Sequence, residues 1–539
     1  MVVASDGLTR PDGRARRVRL GLVAVLIVAS ATLVGPVVPR PGAPAVRAAD
    51  TDTVRILIGA ADNLDPAAQG DIGSAAISAQ LFESLTAIDA QLQTRPALAS
   101  SWDFRDGGAT VVFHLRPGIT FSDGSPITAA DVVRSWFRII HPEHPSPLVS
   151  LIGDVRGALE FARGNGERDV VGLAADGNDV IVHLTRPATD FPTIVAGPTF
   201  AIVPASLDQG PQALEPGDGF VGSGGYVLTA ATGTKTTLSA NDRYWAGRPA
   251  IGTVELIHDI GGRSSVTAFE ADDVDLTDVS PFDATWLAYD DTLGPLLRRT
   301  DSLSLEYYGF DTSRPPFDDV RVRQAFARAV DWRRLIALAA AGAATPATGM
   351  VPPGIAGRSV TDFLPALDPD GARKLLADAG FPGGSGFPTV TLLGGGATDR
   401  AFAAEIKREL GVTVQVELEG AGFFDRLAAD PPQMFSMGWI ADYPGPNDFL
   451  GILLGGGASN NYGRWTSSAF DGAVADALAA TDPAAARAAF DRAEGIVRDE
   501  APTIPLTYDV SWSLARSGLL GAYENGLGII RMAGLAWDR

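Results

Sequence analysis

An α/β fold divided into two or three lobes is predicted for this sequence, on three observations. The chain has 539 residues, more than one hydrophobic core serves. Strand-type and helix-type apolar patterns alternate along it without internal repeat or low-complexity tract, which points to mixed α/β layers. Apolar residues make up 46% and charged residues 20%, enough to fill such cores.

Taken in order, VRILI at 54–58 reads as a buried strand, and 77–85 has the apolar spacing of a helix. Residues 110–115 and 180–184 are rich in β-branched side chains and read as strands. Thr128 and Asp131 form a capping box, behind which Val132, Val133, Trp136, Phe137 and Ile140 share one helical face. Asp368-Pro369 and Asp482-Pro483 each pair an N-cap residue with proline at the first helical position. Gly380 closes the first of these helices and Pro502 follows the second. At 412–418, Val412, Val414, Val416 and Leu418 alternate with Thr413, Gln415 and Glu417, the pattern of a half-buried strand. The glycines at 383–386 and 394–396 read as surface loops.

The formal charge of −21 repels nucleic acid, whose binding rests on phosphate neutralisation, and opposes docking on anionic lipid. With no cysteine, thiol catalysis, disulfides and lipid modification at a cysteine are excluded. Residues 1–48 carry seven arginines against two aspartates. Arginines 14, 16, 17 and 19 precede an apolar run at 20–34, and Val46-Arg47-Ala48 offers small residues to a signal peptidase. Residues 1–49 therefore read as an export signal and linker, cleaved near Ala49, with an uncleaved anchor as the other reading. The body lies outside the cytoplasm.

No catalytic motif stands up. GDGFVG at 217–222 fits the dinucleotide fingerprint, but no strand precedes it and Gly224-Gly225 stand where a helix would start, so it reads as a loop. His141 and His144 lie in HPEHP, where the prolines oppose a helix that would align both rings on a metal. His114 and His183 fall in predicted strands. Carboxylate pairs such as Asp272-Asp273 and Asp290-Asp291 read as solvated surface. No metal or cofactor is expected.

Six blocks in order carry a resemblance. They are RPALASSW at 95–102 with FHLRPG at 113–118, FSDGS at 121–125 and ADV at 130–132; GSGGY at 222–226 with NDRYW at 241–245; FEADDVDL at 269–276; PPFDDVRVRQA at 315–325 with AVD at 329–331; GWIADYP at 438–444; and APTIPL at 501–506. This pattern resembles the family 5 extracellular solute-binding proteins, the peptide-binding components of ABC importers. Departures are Ser122 for histidine, Gly225 for proline and Gly445 for an acidic residue; the last falls in the ligand region.

The resemblance implies a two-lobe periplasmic-binding-protein-like clamp with an extra domain in the N-terminal lobe. Lobe I would comprise 50–88, 213–299 and 509–539, the inserted domain 89–212, and lobe II 300–508. Two hinge strands would cross at 302–306 and 506–509. The protein would be a monomer that captures a peptide by lobe closure and delivers it to the permease subunits of an ABC importer. It would meet the membrane only through that transporter or an uncleaved signal. Asp442 would pair with the peptide's α-amino group. Main chain at Gly438, Trp439 and Ile440 would bond the peptide as an added strand, with Trp439 as an apolar wall. The other reading makes Trp439 core and Asp442 a turn cap. An oligosaccharide or other small solute in the same architecture, and more remotely a secreted hydrolase, are the alternative functions.

Overall fold

A twelve-stranded mixed sheet runs through the molecule. In chain order its strands are β1 (Thr53–Leu57), β2 (Tyr226–Ala231), β3 (Lys235–Ala240), β4 (Thr253–Ile257) and β5 (Leu276–Val279). They continue as β6 (Leu297–Asp301), β7 (Ser304–Phe310), β8 (Ala344–Pro346), β9 (Val390–Gly394), β10 (Val414–Leu418), β11 (Met434–Ile440) and β12 (Thr503–Ala515). The lateral order is β10-β9-β11-β7-β12-β5-β1-β4-β3-β2, with β6 and β8 also paired to β12. The structure is a computed structural model and describes residues 52–339, 344–359, 363, 366–418, 420 and 422–538. The predicted export signal at 1–49 lies outside them.

Strand β12 joins the two halves of this sheet. Its first residues pair with β7, from Gly309↔Thr503 to Glu306↔Thr507. Its last pair with β6, from Asp301↔Val510 to Leu297↔Leu514, and with β5. Between these stretches the Ser302 N–H donates to the Asp509 carbonyl at 3.0 Å, and the Asp509 N–H donates to Ser304 Oγ at 2.9 Å. Two antiparallel segments thus run side by side where the hinge crossings are expected.

A separate four-stranded antiparallel sheet is built from Ala99–Arg105, Thr110–Leu115, Asp179–His183 and Leu173–Asp176. Helix α1 spans Ile72–Leu81 and α2 spans Ala129–Ile139. The capping box of α2 forms as predicted: Thr128 Oγ1 accepts the Asp131 N–H at 3.3 Å, and Asp131 accepts the Thr128 N–H at 3.0 Å. Its apolar face carries Trp136 into a core with Phe113, Phe191 and Phe200. Helix α3 (Pro483–Glu500) starts at the predicted Asp482 cap. Its end is closed by Arg323, whose guanidinium donates to the carbonyls of Glu500 and Ala501 at 2.5–3.1 Å. Carbonyls at a helix end have no partner in the helix itself, so a buried arginine satisfies them.

Three expectations need correction. The helix expected at 77–85 begins five residues earlier, where the Asp71 side chain accepts the Ser74 N–H. It ends at Leu81, because Phe82 turns extended and Glu83 pairs with Ile202. Leu418, expected on the buried face, is 76% exposed, because β10 is the edge strand and its last residues outrun the core. Of the loop expected at 394–396, Gly394 is buried at the end of β9, while Gly395 and exposed Gly396 form the turn and donate to Asp399 at the head of helix Ala397–Leu410.

Candidate ligand-binding site

Strand β11 pairs antiparallel with β7 from Met434 through Ile440 but with β9 only at Met434 and Phe435. Past Phe435, its edge away from β7 has no strand partner among the described residues. The Ala441 N–H donates to the Leu303 carbonyl at 2.8 Å. Outward-facing groups alternate along an antiparallel pair. Trp439 therefore turns its main-chain groups to β7, and Gly438 and Ile440 turn theirs to the open edge. A Cβ at Gly438 would lie 2.3 Å from a Glu306 carboxylate oxygen, so glycine here leaves room for that cross-strand side chain.

The turn after β11 concentrates negative charge. Asp448 is fully buried, and its Oδ2 accepts the Trp439 indole N–H at 3.0 Å and the Asp442 N–H at 3.2 Å. Tyr443 donates its hydroxyl to Asp190 at 3.0 Å and accepts from Asn447 at 3.0 Å. Oδ1 of Asp190 and Oδ1 of Asp448 are buried without a partner. Among the described residues no cation pairs with Asp190, Asp442 or Asp448. Burial pushes Asp442 up to about 6 and Asp190 to about 6. Asp448 lies well above the usual carboxylate range, first from burial and then from the neighbouring Asp442 charge. Arg186 offsets the rise at Asp190 in part; desolvation is the leading cause in all three.

Two adjoining cavities meet at Ile72, Ile440 and Leu527, one of about 120 Å³ and one of about 370 Å³. Asp442 and Arg531 are the only charged residues lining the first, whose wall is otherwise largely aliphatic. The second is bordered by Asp278, Asp509 and Glu524. Burial, then the charge of Asp278, pushes Glu524 up to about 7. Together these cavities match the scale of a small-ligand pocket.

Arg531 is braced from behind. Its Nη2 donates to both oxygens of Glu83, at 3.0 and 2.9 Å, and to the Tyr244 hydroxyl at 3.3 Å. Glu83 is 5% exposed and also accepts from the Tyr244 hydroxyl and from the Trp245 indole N–H. Gly222 and Gly224 let this wall close, since a Cβ at either would lie within 2.4 Å of the carbonyls of Leu81 and Gln80.

Of the residues singled out from sequence, Ile440 and Asp442 line the first cavity and Gly438 lies on the open edge. The Trp439 side chain packs on the core that includes Leu305 and Met437 and supports the turn through Asp448; it lines neither cavity. Sequence reasoning missed Asp190, Asp448, Glu83 and Arg531. Asp448 follows six residues after Asp442, and Tyr244-Trp245 belong to a block already noted; the other three carry no local signal. His141 and His144 stack 5.7 Å apart, and no cluster of three metal-ligating side chains occurs among the described residues.

The geometry of an open strand edge over a cleft has relatives. The chain is 32% identical over 467 residues to a probable deoxycholate-binding periplasmic protein, YgiS, of Escherichia coli K12, covering 83% of this chain and 85% of that one. It is 29% identical over 472 residues to the periplasmic oligopeptide-binding protein OppA of the same strain, covering 84% and 86%. In fold it superposes on the unliganded open form of the murein tripeptide binding protein MppA with a TM-score of 0.78 at 24% identity, over 91% and 98% of the chains. That neighbour is a two-lobe periplasmic binding protein, and this chain has the same architecture. Residues 93–461 match the model for bacterial extracellular solute-binding proteins, family 5 Middle. By that match, and by the identity to YgiS over most of both chains, the chain belongs to family 5 of the bacterial extracellular solute-binding proteins.

Proposed function

We propose that the protein is the exported binding component of an ABC importer and captures a small zwitterionic peptide between its lobes. The observation that carries this reading is Asp442. It lines the cavity beside an open strand edge, and among the described residues it has no cationic partner. A peptide's ammonium group supplies that partner, and its main chain supplies the missing strand. Peptide binding by OppA and MppA, as their names state, agrees with this.

In this reading lobe I is 50–88, 213–299 and 509–539, the inserted domain is 89–212, and lobe II is 300–508. Hydrophobic cores support the partition: one draws on residues between Leu85 and Ile202, with Tyr443 of the turn after β11 joining it, and another on residues between Leu303 and Tyr508. The lobes rotate about the paired segments at 302–306 and 506–509. The chain is a cysteine-free secreted protein, cleaved near Ala49 and not lipid-anchored, that does no chemistry.

An amphipathic acid is the second reading, favoured by the aliphatic cavity wall and by the deoxycholate named for YgiS. An oligosaccharide fits less well, because Trp439 is turned away and offers no stacking platform. Calorimetry with tripeptides and with deoxycholate, alongside solution scattering, tests these readings. Peptide binding with a smaller radius of gyration is expected. Binding of deoxycholate alone, or peptide binding with an unchanged scattering profile, would sink the peptide clamp.

A further inference from the structure

We propose that Arg531 receives the anionic end of the ligand, so that a zwitterion is gripped by Asp442 from lobe II and by Arg531 from lobe I. This rests on the peptide reading above and adds what that reading leaves open: where the carboxylate goes, and from which lobe.

The argument starts from donors. An arginine presents five N–H groups, and every hydrogen bond Arg531 makes comes from Nη2. Nε and Nη1 bond to nothing among the described residues. They are not sealed in protein, because the side chain is 40% exposed and lines the cavity. The bonds at Nη2 fix the plane of the guanidinium without using up its remaining donors. Glu83 is itself fixed by the hydroxyl of Tyr244 and the indole of Trp245. A preorganised donor loses less freedom on binding than a side chain waving in solvent.

Charge points the same way. Arg531 is the only cation lining either cavity, and Asp442 is the only other charged group lining the first. The rest of the wall is largely aliphatic, with Ile72, Ala75, Ala79 and Leu527 among its residues. A ligand with an ammonium, a carboxylate and apolar substance matches that set of groups. Glu83 keeps the empty cavity near neutral at the arginine end. An arriving carboxylate still meets the guanidinium directly, with Glu83 behind it.

The split between lobes has a consequence for closure. Arg531 stands on the segment after β12, with lobe I, and Asp442 on the turn after β11, with lobe II. A ligand carrying both charges joins the lobes electrostatically, whereas one lacking its carboxylate leaves lobe I without its ionic contact.

The test uses trialanine and trileucine, each as free acid and as C-terminal amide, on the full mature chain by calorimetry. Wild type is expected to bind the better acid at least tenfold tighter than its amide. Arg531→Gln should lower acid affinity toward the amide's value and leave the amide's affinity nearly unchanged. Because that variant strands Glu83, the pair Glu83→Gln with Arg531→Gln serves as the second form and should likewise erase the acid preference. Equal binding of acid and amide by wild type would overturn the assignment and leave the peptide reading standing. So would an equal loss for acid and amide in both variants, which would mark Arg531 as structural. If neither acid nor amide binds wild type, the peptide reading falls and the assignment with it.

Discussion

The two ends of the cleft cavity handle charge in opposite ways. At the arginine end, Arg531, Glu83, Tyr244 and Trp245 form a closed set in which the positive and negative charges face each other. At the aspartate end, Asp190, Asp442 and Asp448 crowd around Tyr443; Arg186 reaches Asp190 only from its own pair with Asp154, and the ionisation of all three acids is pushed upward. The first arrangement is stable empty. The second carries an excess of buried negative charge, which the proposed ligand's ammonium group would relieve.

Asp442→Asn attacks that deficit directly and should give the largest effect. Losing one partner of a desolvated charged pair costs about 2–5 kcal/mol, which is roughly 30-fold to several thousand-fold in affinity for free-amine peptides. Calorimetry reads the loss, and N-acetylated peptides should bind wild type comparably poorly. The apo melting temperature should stay level or rise.

At the other end the pattern inverts. Glu83→Gln removes the brace and leaves Arg531 without its counter-charge, so apo stability should fall by about 1–3 kcal/mol, discounted because the guanidinium is partly exposed. Denaturant unfolding measures it. An unchanged midpoint would mean that the arginine end is not held together as described.

The pH profile of the apo protein sharpens the contrast further. Asp190 and Asp442 are raised to about 6 in the folded state, against about 4 in an unfolded chain. A raised folded value means the contribution to stability is full below about pH 4 and is lost as pH climbs through about 6. With these groups dominant, the melting temperature should drop by about a degree or a few between pH 4.5 and 7, and Asp190→Asn should flatten that slope. The opposite slope, unchanged in the variant, would show the cluster to be compensated.

The smallest effect belongs to Asp448. Its Oδ1 has no partner, so Asp448→Asn should leave the melting temperature equal or about a degree higher at pH 8. A large fall would mean the carboxylate itself is needed.

Legibility in the sequence followed the range of the interactions. The α2 cap and the start of α3 depend on neighbours within four residues, and Thr128, Asp131 and Asp482 announced them. Helix α1 was misplaced because its end is set by Glu83 reaching Ile202, Tyr244 and Arg531, partners more than a hundred residues away. Leu418 looked buried because alternation reports a face, not where the sheet stops. In the site, Asp442 was found through the block it sits in. Asp190 and Arg531 belong to segments with no pattern of their own and become neighbours of that block only after folding. The role expected of Trp439 failed at its side chain, whose indole answers Asp448 instead.

Strand β12 spends thirteen residues doing what a linker usually does. Neither lobe can be cut away without breaking a ladder that belongs to the other, so limited proteolysis should release no autonomous half. In the proposed closure, movement of one lobe against the other must therefore deform a ladder that both of them share.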